Sequence, residues 1–350
     1  MNVTHLPDFT RSNPYQQALV DSLNQKGVSA TLASGYPIDS VYEIFKSNTD
    51  IIHFHWVSPY IQSKGKYSSL LKSRTFLFLQ KIAKSLGYTI VWTVHNIGGH
   101  ESQHKEIEYR TLQKFSTYCD HIIVHCRHAG KLLSSKIEAD PTNVSVIPHG
   151  NYIYKYDNEV AKSEARSRFN FKPNETVFLH LGQIRRYKQV NKLIKSFDEL
   201  SCGNDKLIIA GSVDEGVEFK SLNSILQSDD IQFEDRYIPD NELQYYFNAC
   251  DVVVLPYRDI LTSGSIIMAM GFKKPIIAPS IGCIPEDLAQ QSELLYDPDE
   301  TPLVEMMEKA KEIPNLKTIG QKNYDKIANR DWREIASDTI KSYKAAINNH

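Results

Sequence analysis

The run Thr262-Ser263-Gly264-Ser265-Ile266-Ile267-Met268-Ala269-Met270-Gly271, followed by Lys274-Pro275-Ile276-Ile277-Ala278-Pro279, reads as a small-residue turn that opens a helix and feeds a buried strand. The first N–H groups of a helix lack intrahelical partners and lie at the positive end of its dipole, so a turn of this kind suits a diphosphate. The same residues also describe an ordinary serine-capped helix packed on a sheet. The rest of the chain has to decide between the two.

Working outward, the turn is preceded by an apolar run at 251–256 and a helical pattern at 240–249. Before these come strand patterns at 176–182, 206–211 and 231–233, with a helix over 190–200. The first half repeats the scheme: strands at 50–56, 88–94, 121–124 and 144–151 alternate with helices over 68–86 and 106–118. Such alternation predicts parallel βαβ units, and hence two doubly wound α/β domains. We place these at 1–151 and 152–328, with a terminal helix over 329–350 expected to pack across the back of both. Two facing domains would bring the carboxyl ends of both sheets to a central cleft, where ligands of open α/β sheets bind.

Composition narrows the class. A chain of 350 residues, 41% hydrophobic and 23% charged, suits two globular domains. The net charge of −2 argues against nucleic acid as a partner. Residues 1–150 carry 15 Lys+Arg against 11 Asp+Glu and ten of the twelve histidines, whereas the remainder carries 25 against 31, which suggests halves with different tasks. The amino terminus lacks a signal-peptide succession and no apolar run is long enough to span a bilayer, so a cytoplasmic protein is expected, working at the inner face of the membrane. No metal site is expected. Cys119, His121, His125, Cys126 and His128 fall on a strand that scatters them over two faces, and Asp297-Pro298-Asp299 reads as a turn.

The second basic feature is Leu181-Gly182-Gln183-Ile184-Arg185-Arg186-Tyr187-Lys188-Gln189-Val190, a strand end, a glycine turn and a cationic loop ahead of a helix. Together with the Thr262–Gly271 turn it resembles the GT-B glycosyltransferases, in particular those of glycosyltransferase family four, and the likeness covers nearly the whole chain. The resemblance implies a GT-B architecture of two Rossmann-like domains, no cofactor, and a nucleotide-diphosphate sugar, GDP- or UDP-linked, as donor. It implies metal-independent transfer of a hexose to a saccharide or polyprenyl-linked acceptor in surface polysaccharide biosynthesis. A departing nucleoside diphosphate gains negative charge that fixed cations stabilise. The family's diphosphate-holding lysine carries over to Lys188. Gln183 stands where the family has arginine, so Arg185 or Arg186 must supply the second charge beside Gly182.

Thr262, Ser263, Gly264 and Ser265 occupy the donor motif, but the family's two glutamates fall on Ile260 and Met268. Asp259 is the substitute carboxylate, and Glu286 matches a nearby acidic position. His95 matches the strand-end histidine beside the transferred sugar, where an imidazole can bond a hydroxyl or act as a base. His55, Trp56, Asn96, Asn13 and Tyr15 complete an acceptor side. The segment from Lys64 to Lys84 mixes cations with aromatic and aliphatic residues and is a candidate for peripheral membrane contact. Two other readings stay open: an epimerase or hydrolase of the same fold, and a non-catalytic nucleotide- or saccharide-binding relative, suggested by Ile260 and Met268.

Overall fold

Short runs rich in Val, Ile and aromatic residues, Asn2–Leu6 (β1), Ser29–Leu32 (β2), Ile51–Phe54 (β3), Thr89–Val94 (β4), His121–Val124 (β5) and Val144–Val146 (β6), form the first parallel sheet in a computed structural model of the chain. The structure describes residues 1–11, 13–34, 44, 46–99, 102–200 and 204–349. A second parallel sheet contains Thr176–Leu181 (β7), Asp205–Ala210 (β8), Ile231–Glu234 (β9), Val252–Val254 (β10), Ile276–Pro279 (β11) and Leu295–Tyr296 (β12). The longer helices are Pro14–Gln25 (α1), Lys66–Ser85 (α2), Lys105–Ser116 (α3), Arg127–Ile137 (α4), Lys162–Arg168 (α5), Val190–Asp198 (α6), Leu243–Ala249 (α7), Gly264–Gly271 (α8), Leu303–Glu312 (α9), Leu316–Ala328 (α10) and Trp332–Asn348 (α11).

These elements divide into two units, 1–150 with 330–350 and 151–329. In the first the strand order is β2-β1-β3-β4-β5-β6, and in the second β12-β11-β10-β7-β8-β9. Each order reverses direction once, between β1 and β3 and between β7 and β10. Crevices form at such reversals because successive connections leave to opposite faces of the sheet.

The terminal helix α11 belongs to the first unit. Its Ile335, Ala336, Tyr343 and Ala346 share one core with Leu19 and Leu23 of α1 and with Val91 and Ile123 of the sheet. Tyr343 also bonds His53 Nδ1 at 2.7 Å, so a polar link registers the helix on β3. In the second unit Asp251 holds α5 to the amino end of β7, accepting from Arg166 at 2.6 Å and from the Val177 N–H at 2.9 Å.

One backbone contact fixes the turn after β7. Gly211 has φ +147 and a Cβ placed there would lie 2.2 Å from the Gly182 carbonyl oxygen, so only glycine lets β8 approach this turn. Gly211→Ala should therefore cost on the order of 2 kcal/mol or more of stability. Gly27→Ala, at φ +80 with open space around it, should cost only its backbone strain of about 1 kcal/mol. Urea denaturation of the two variants checks this, and equal losses would contradict the close approach.

Candidate active site

The reversal between β7 and β10 gathers the donor-motif residues of the second unit. Gly182 follows β7 with φ +122, and the space its missing Cβ would fill lies 3.5 Å from Lys188 Nζ and 3.6 Å from Ser265 Oγ. The two side chains thus flank the glycine from separate loops. Ser263 is the N-cap of α8, its hydroxyl accepting from the Ile266 N–H at 3.3 Å and lying 3.2 Å from the Tyr257 hydroxyl. Tyr257 is buried and bonds Ser265 as well, so one phenol anchors both serines. This cap uses the third helical N–H and leaves those of Gly264 and Ser265 at the dipole's positive end.

Lys188 is only 8% exposed, and no carboxylate pairs with its ammonium among the described residues. Burial, and then the charge of Arg185, lower its pKa to about 8. A buried ammonium without a counter-ion is costly and is relieved by an anion. Behind it His180, wholly buried, donates from Nδ1 to the Val254 carbonyl at 3.0 Å and is held neutral by burial, so it adds no further charge.

Other sequence expectations distribute differently. Arg185 stays near Lys188 while pairing with Asp214 at 3.3 Å. Arg186 turns away, donating from Nε to the Gly216 carbonyl. Asp259 is exposed, and Glu286 is half-buried in a short helical turn, Ile284–Asp287. Ile260 points into the core, and its carbonyl is covered by Gly282, whose φ of +56 and close approach again demand glycine. Met268 is half-buried on α8. Asp297 forms the turn read from the sequence, accepting from the Asp299 N–H at 3.0 Å.

In the first unit the acceptor-side residues meet a feature the sequence reading missed. His5, His55, His95 and His125 form a hydrogen-bonded row along the carboxyl ends of β1, β3, β4 and β5, with N–N separations of 2.9, 3.2 and 3.3 Å. The Ile147 carbonyl lies 2.9 Å from His125 Nδ1 and can only accept, so that nitrogen carries the hydrogen. In the neutral row each remaining Nδ1 then donates to the next Nε2, and the series ends at His5 Nε2, buried and without a partner. Both ring nitrogens of His95 are engaged within the row, and its ring stacks on Trp56 at 4.4 Å. Tyr15 is a core residue whose ring edge meets His55, His95, His125 and His149. Asn13 caps α1, accepting from the Tyr15 N–H at 3.0 Å. Trp56 and Asn96 remain half-buried at the strand ends.

Burial lowers the pKa of His5 and His149 to about 3 and of His125 to about 4, and those of His53, His55 and His95 fall well below the ordinary value, neighbouring imidazoles adding to the effect. Among the described residues His5, His53 and His55 have potential ligand atoms within 4.8 Å of one another. They fit a metal poorly. His53 is bonded at both nitrogens, to Tyr343 and to Thr93, and His55 to His5 and His95, which leaves only His5 Nε2 open.

Residues 175–312 match the family described as glycosyl transferases group 1. A GDP-mannose:glycolipid 4-beta-D-mannosyltransferase of Xanthomonas campestris pv. campestris is 23% identical over 343 residues, covering 96% of this chain and 89% of that protein. Sucrose-phosphate synthase from Thermosynechococcus elongatus superposes with a TM-score of 0.80 at 15% identity, covering 100% of this chain and 99% of that one. Anabaena HepE, solved with UDP and glucose, gives 0.74 at 16% identity, with 99% and 100% covered. The fold is the GT-B fold, expected from the sequence.

The neutral histidines make a pH prediction for the first unit. Their folded pKa values lie below the unfolded value of about 6.5, so the unfolded chain binds more protons once pH falls beneath it. Stability is complete above that pH and drops between about 6.5 and 4, by up to about 1.4 kcal/mol per pH unit for each imidazole. All three tryptophans, Trp56, Trp92 and Trp332, lie in this unit. Urea unfolding followed by tryptophan fluorescence should show a steep loss of stability from pH 7.5 to 5.5, and a flat profile would rule the buried neutral row out.

Proposed function

From the premise that the second unit carries a glycosyl transferases group 1 domain on a GT-B fold, we propose that this protein transfers a hexose from a nucleoside diphosphate sugar to a saccharide or lipid-linked saccharide acceptor. The observation that carries the reading is the buried, unpaired Lys188 ammonium beside Gly182 and the amino end of α8. In this proposal Lys188 and Arg185 take up charge on the leaving diphosphate, and the N–H groups of Gly264 and Ser265 bond its oxygens. Tyr257 holds the serine turn in place. The site supplies these charges itself, so the reading needs no metal ion. The acceptor belongs to the first unit, with Trp56 and Asn96 at its rim. His95 there is a neutral positioning residue rather than the base, since both of its nitrogens serve the histidine row.

The acceptor's lipid link rests on α2. This helix buries Ser69, Ser73, Phe76, Gln80 and Ala83, yet exposes Tyr67 by 87%, Leu71 by 67% and Phe78 by 62%. Beside Phe76 and Ala83, two serines and a glutamine face the protein while Tyr67, Leu71 and Phe78 face outward, a large share of apolar surface for a helix that meets water. Residues 64–88 contain six cations and no acid. Apolar anchoring with basic flanks matches an anionic membrane surface, and no helix among the described residues is long and apolar enough to cross one. The resemblance of the whole chain to a mannosyltransferase named for a glycolipid supports the same reading.

Two measurements test it. Titration calorimetry with UDP and GDP, each with and without magnesium, should give metal-independent binding of one of them, weakened by about 2 kcal/mol in Lys188→Ala. No binding by either nucleotide would sink the transferase reading. Flotation with phosphatidylglycerol vesicles should capture the protein, and Leu71→Glu with Phe78→Glu should reduce capture several-fold without altering nucleotide affinity. Unchanged capture would remove α2 from the acceptor argument.

A further inference from the structure

We propose that the second unit has another anion site, separate from the donor turn: a pocket lined by Lys162, Lys273, Lys274 and Lys317, with Asn248 and Gln321 at its edge, that binds a phosphate group of a small metabolite or a lipid headgroup. The pocket has a volume of about 360 Å³ and lies beyond the carboxyl end of α8, whose amino end forms the donor turn. At a rise of about 1.5 Å per residue the eight residues of α8 separate the two places by roughly 12 Å, so both can be filled at once.

Charge complementarity carries the proposal. Residues 151–329 hold 21 Lys+Arg against 28 Asp+Glu, yet four of the nine residues lining this pocket are lysines and none is acidic. Their partners do not balance them. Lys162 pairs with Asp251, a carboxylate that Arg166 also grips at 2.6 Å. Among the described residues Lys274 donates to the Cys250 carbonyl alone, at 3.1 Å. Lys273 lies 4.7 Å from the centre of the Tyr324 ring. Lys317 has no ion pair or side-chain hydrogen bond among the described residues. Burial is the main cause that lowers the pKa of Lys274, a sign that its charge is poorly served without a ligand.

Backbone conformation adds an independent observation. Lys273 has φ +57, in the left-handed region just beyond the end of α8, where glycine or asparagine is the usual residue. A lysine held there carries strain of about 1 kcal/mol or more. Gly320 of α10 packs so close to the Lys273 carbonyl that a Cβ would lie 1.9 Å from the oxygen, and this contact pins the strained turn with its side chain at the pocket. Lysine rather than asparagine at such a position supplies only one thing more, a positive charge.

Inorganic pyrophosphate is the probe, titrated calorimetrically into the Lys188→Ala protein so that the donor turn is disabled. One binding site should remain, and adding Lys273→Asn and Lys317→Gln should weaken it at least tenfold. Asparagine suits the left-handed turn and Lys317 is exposed, so folding should be retained; circular dichroism confirms it. Flotation with phosphatidic acid vesicles, in the Leu71→Glu, Phe78→Glu background so that α2 does not capture them, then separates the sources. Loss of capture in the same variant assigns a lipid headgroup, and unchanged capture with lost pyrophosphate affinity assigns a soluble phosphate. Absence of pyrophosphate binding to Lys188→Ala, or affinity unaltered by the two lysine substitutions, overturns the proposal. Nucleotide binding indifferent to Lys188 would count against the donor site alone.

Discussion

Between β7 and β10 the chain connections leave to opposite faces of the sheet, and this reversal is the constraint on which the candidate site depends. It opens a crevice at the carboxyl ends of the strands. Into that crevice the loop after β7 delivers Gly182 and Lys188, while the loop after β10 delivers Ser263 to Ser265. Neither loop makes an anion site alone. Gly211 brings β8 against the carbonyl of Gly182, Gly282 brings a third loop against the carbonyls of Ile260 and Leu261, and the Tyr257 hydroxyl fixes the serine turn. Two close approaches at glycines and one buried phenol therefore hold the cation and the helix end on either side of Gly182.

The two units handle polar burial in opposite ways. Among its described residues the first buries seven imidazoles, whose pKa values burial lowers, and in the row each nitrogen meets another ring or a backbone carbonyl until the last, His5 Nε2. A carbonyl closes one end of the row, and along it the imidazoles pack against Trp56 and Tyr15. The second unit buries the Lys188 ammonium instead, with no carboxylate paired to it among the described residues. A neutral, hydrogen-bonded floor suits recognition of uncharged hydroxyl groups, whereas an unpaired cation suits a diphosphate.

Surface patterning follows the same logic of unmet demand. On α2 three large apolar side chains, Tyr67, Leu71 and Phe78, are exposed, and on the far end of α8 four lysines converge with one shared carboxylate nearby. Both features cost free energy in an isolated molecule. Both become favourable when covered, the first by hydrocarbon and the second by phosphate.

The sequence by itself determined the elements and their order. Val- and Ile-rich runs at 89–94, 176–181 and 206–210 fold as strands because uninterrupted apolar stretches suit a parallel sheet buried on both faces. The glycine turn at 182 and the capped helix at 263 were legible because their chemistry is local. β1 and β2 were less so, since Thr4 and His5 break the apolar pattern with side chains that are satisfied only by distant partners, Thr49 and His55. The chain alone did not separate Arg185 from Arg186, which differ in facing Asp214 or Gly216. Nor did it show that His95, a plausible base by position, has both nitrogens occupied. Only the tertiary structure decided these points, because they depend on which residues from separate strands share one end of a sheet, and hydrogen bonding and desolvation act through that proximity rather than through spacing along the chain.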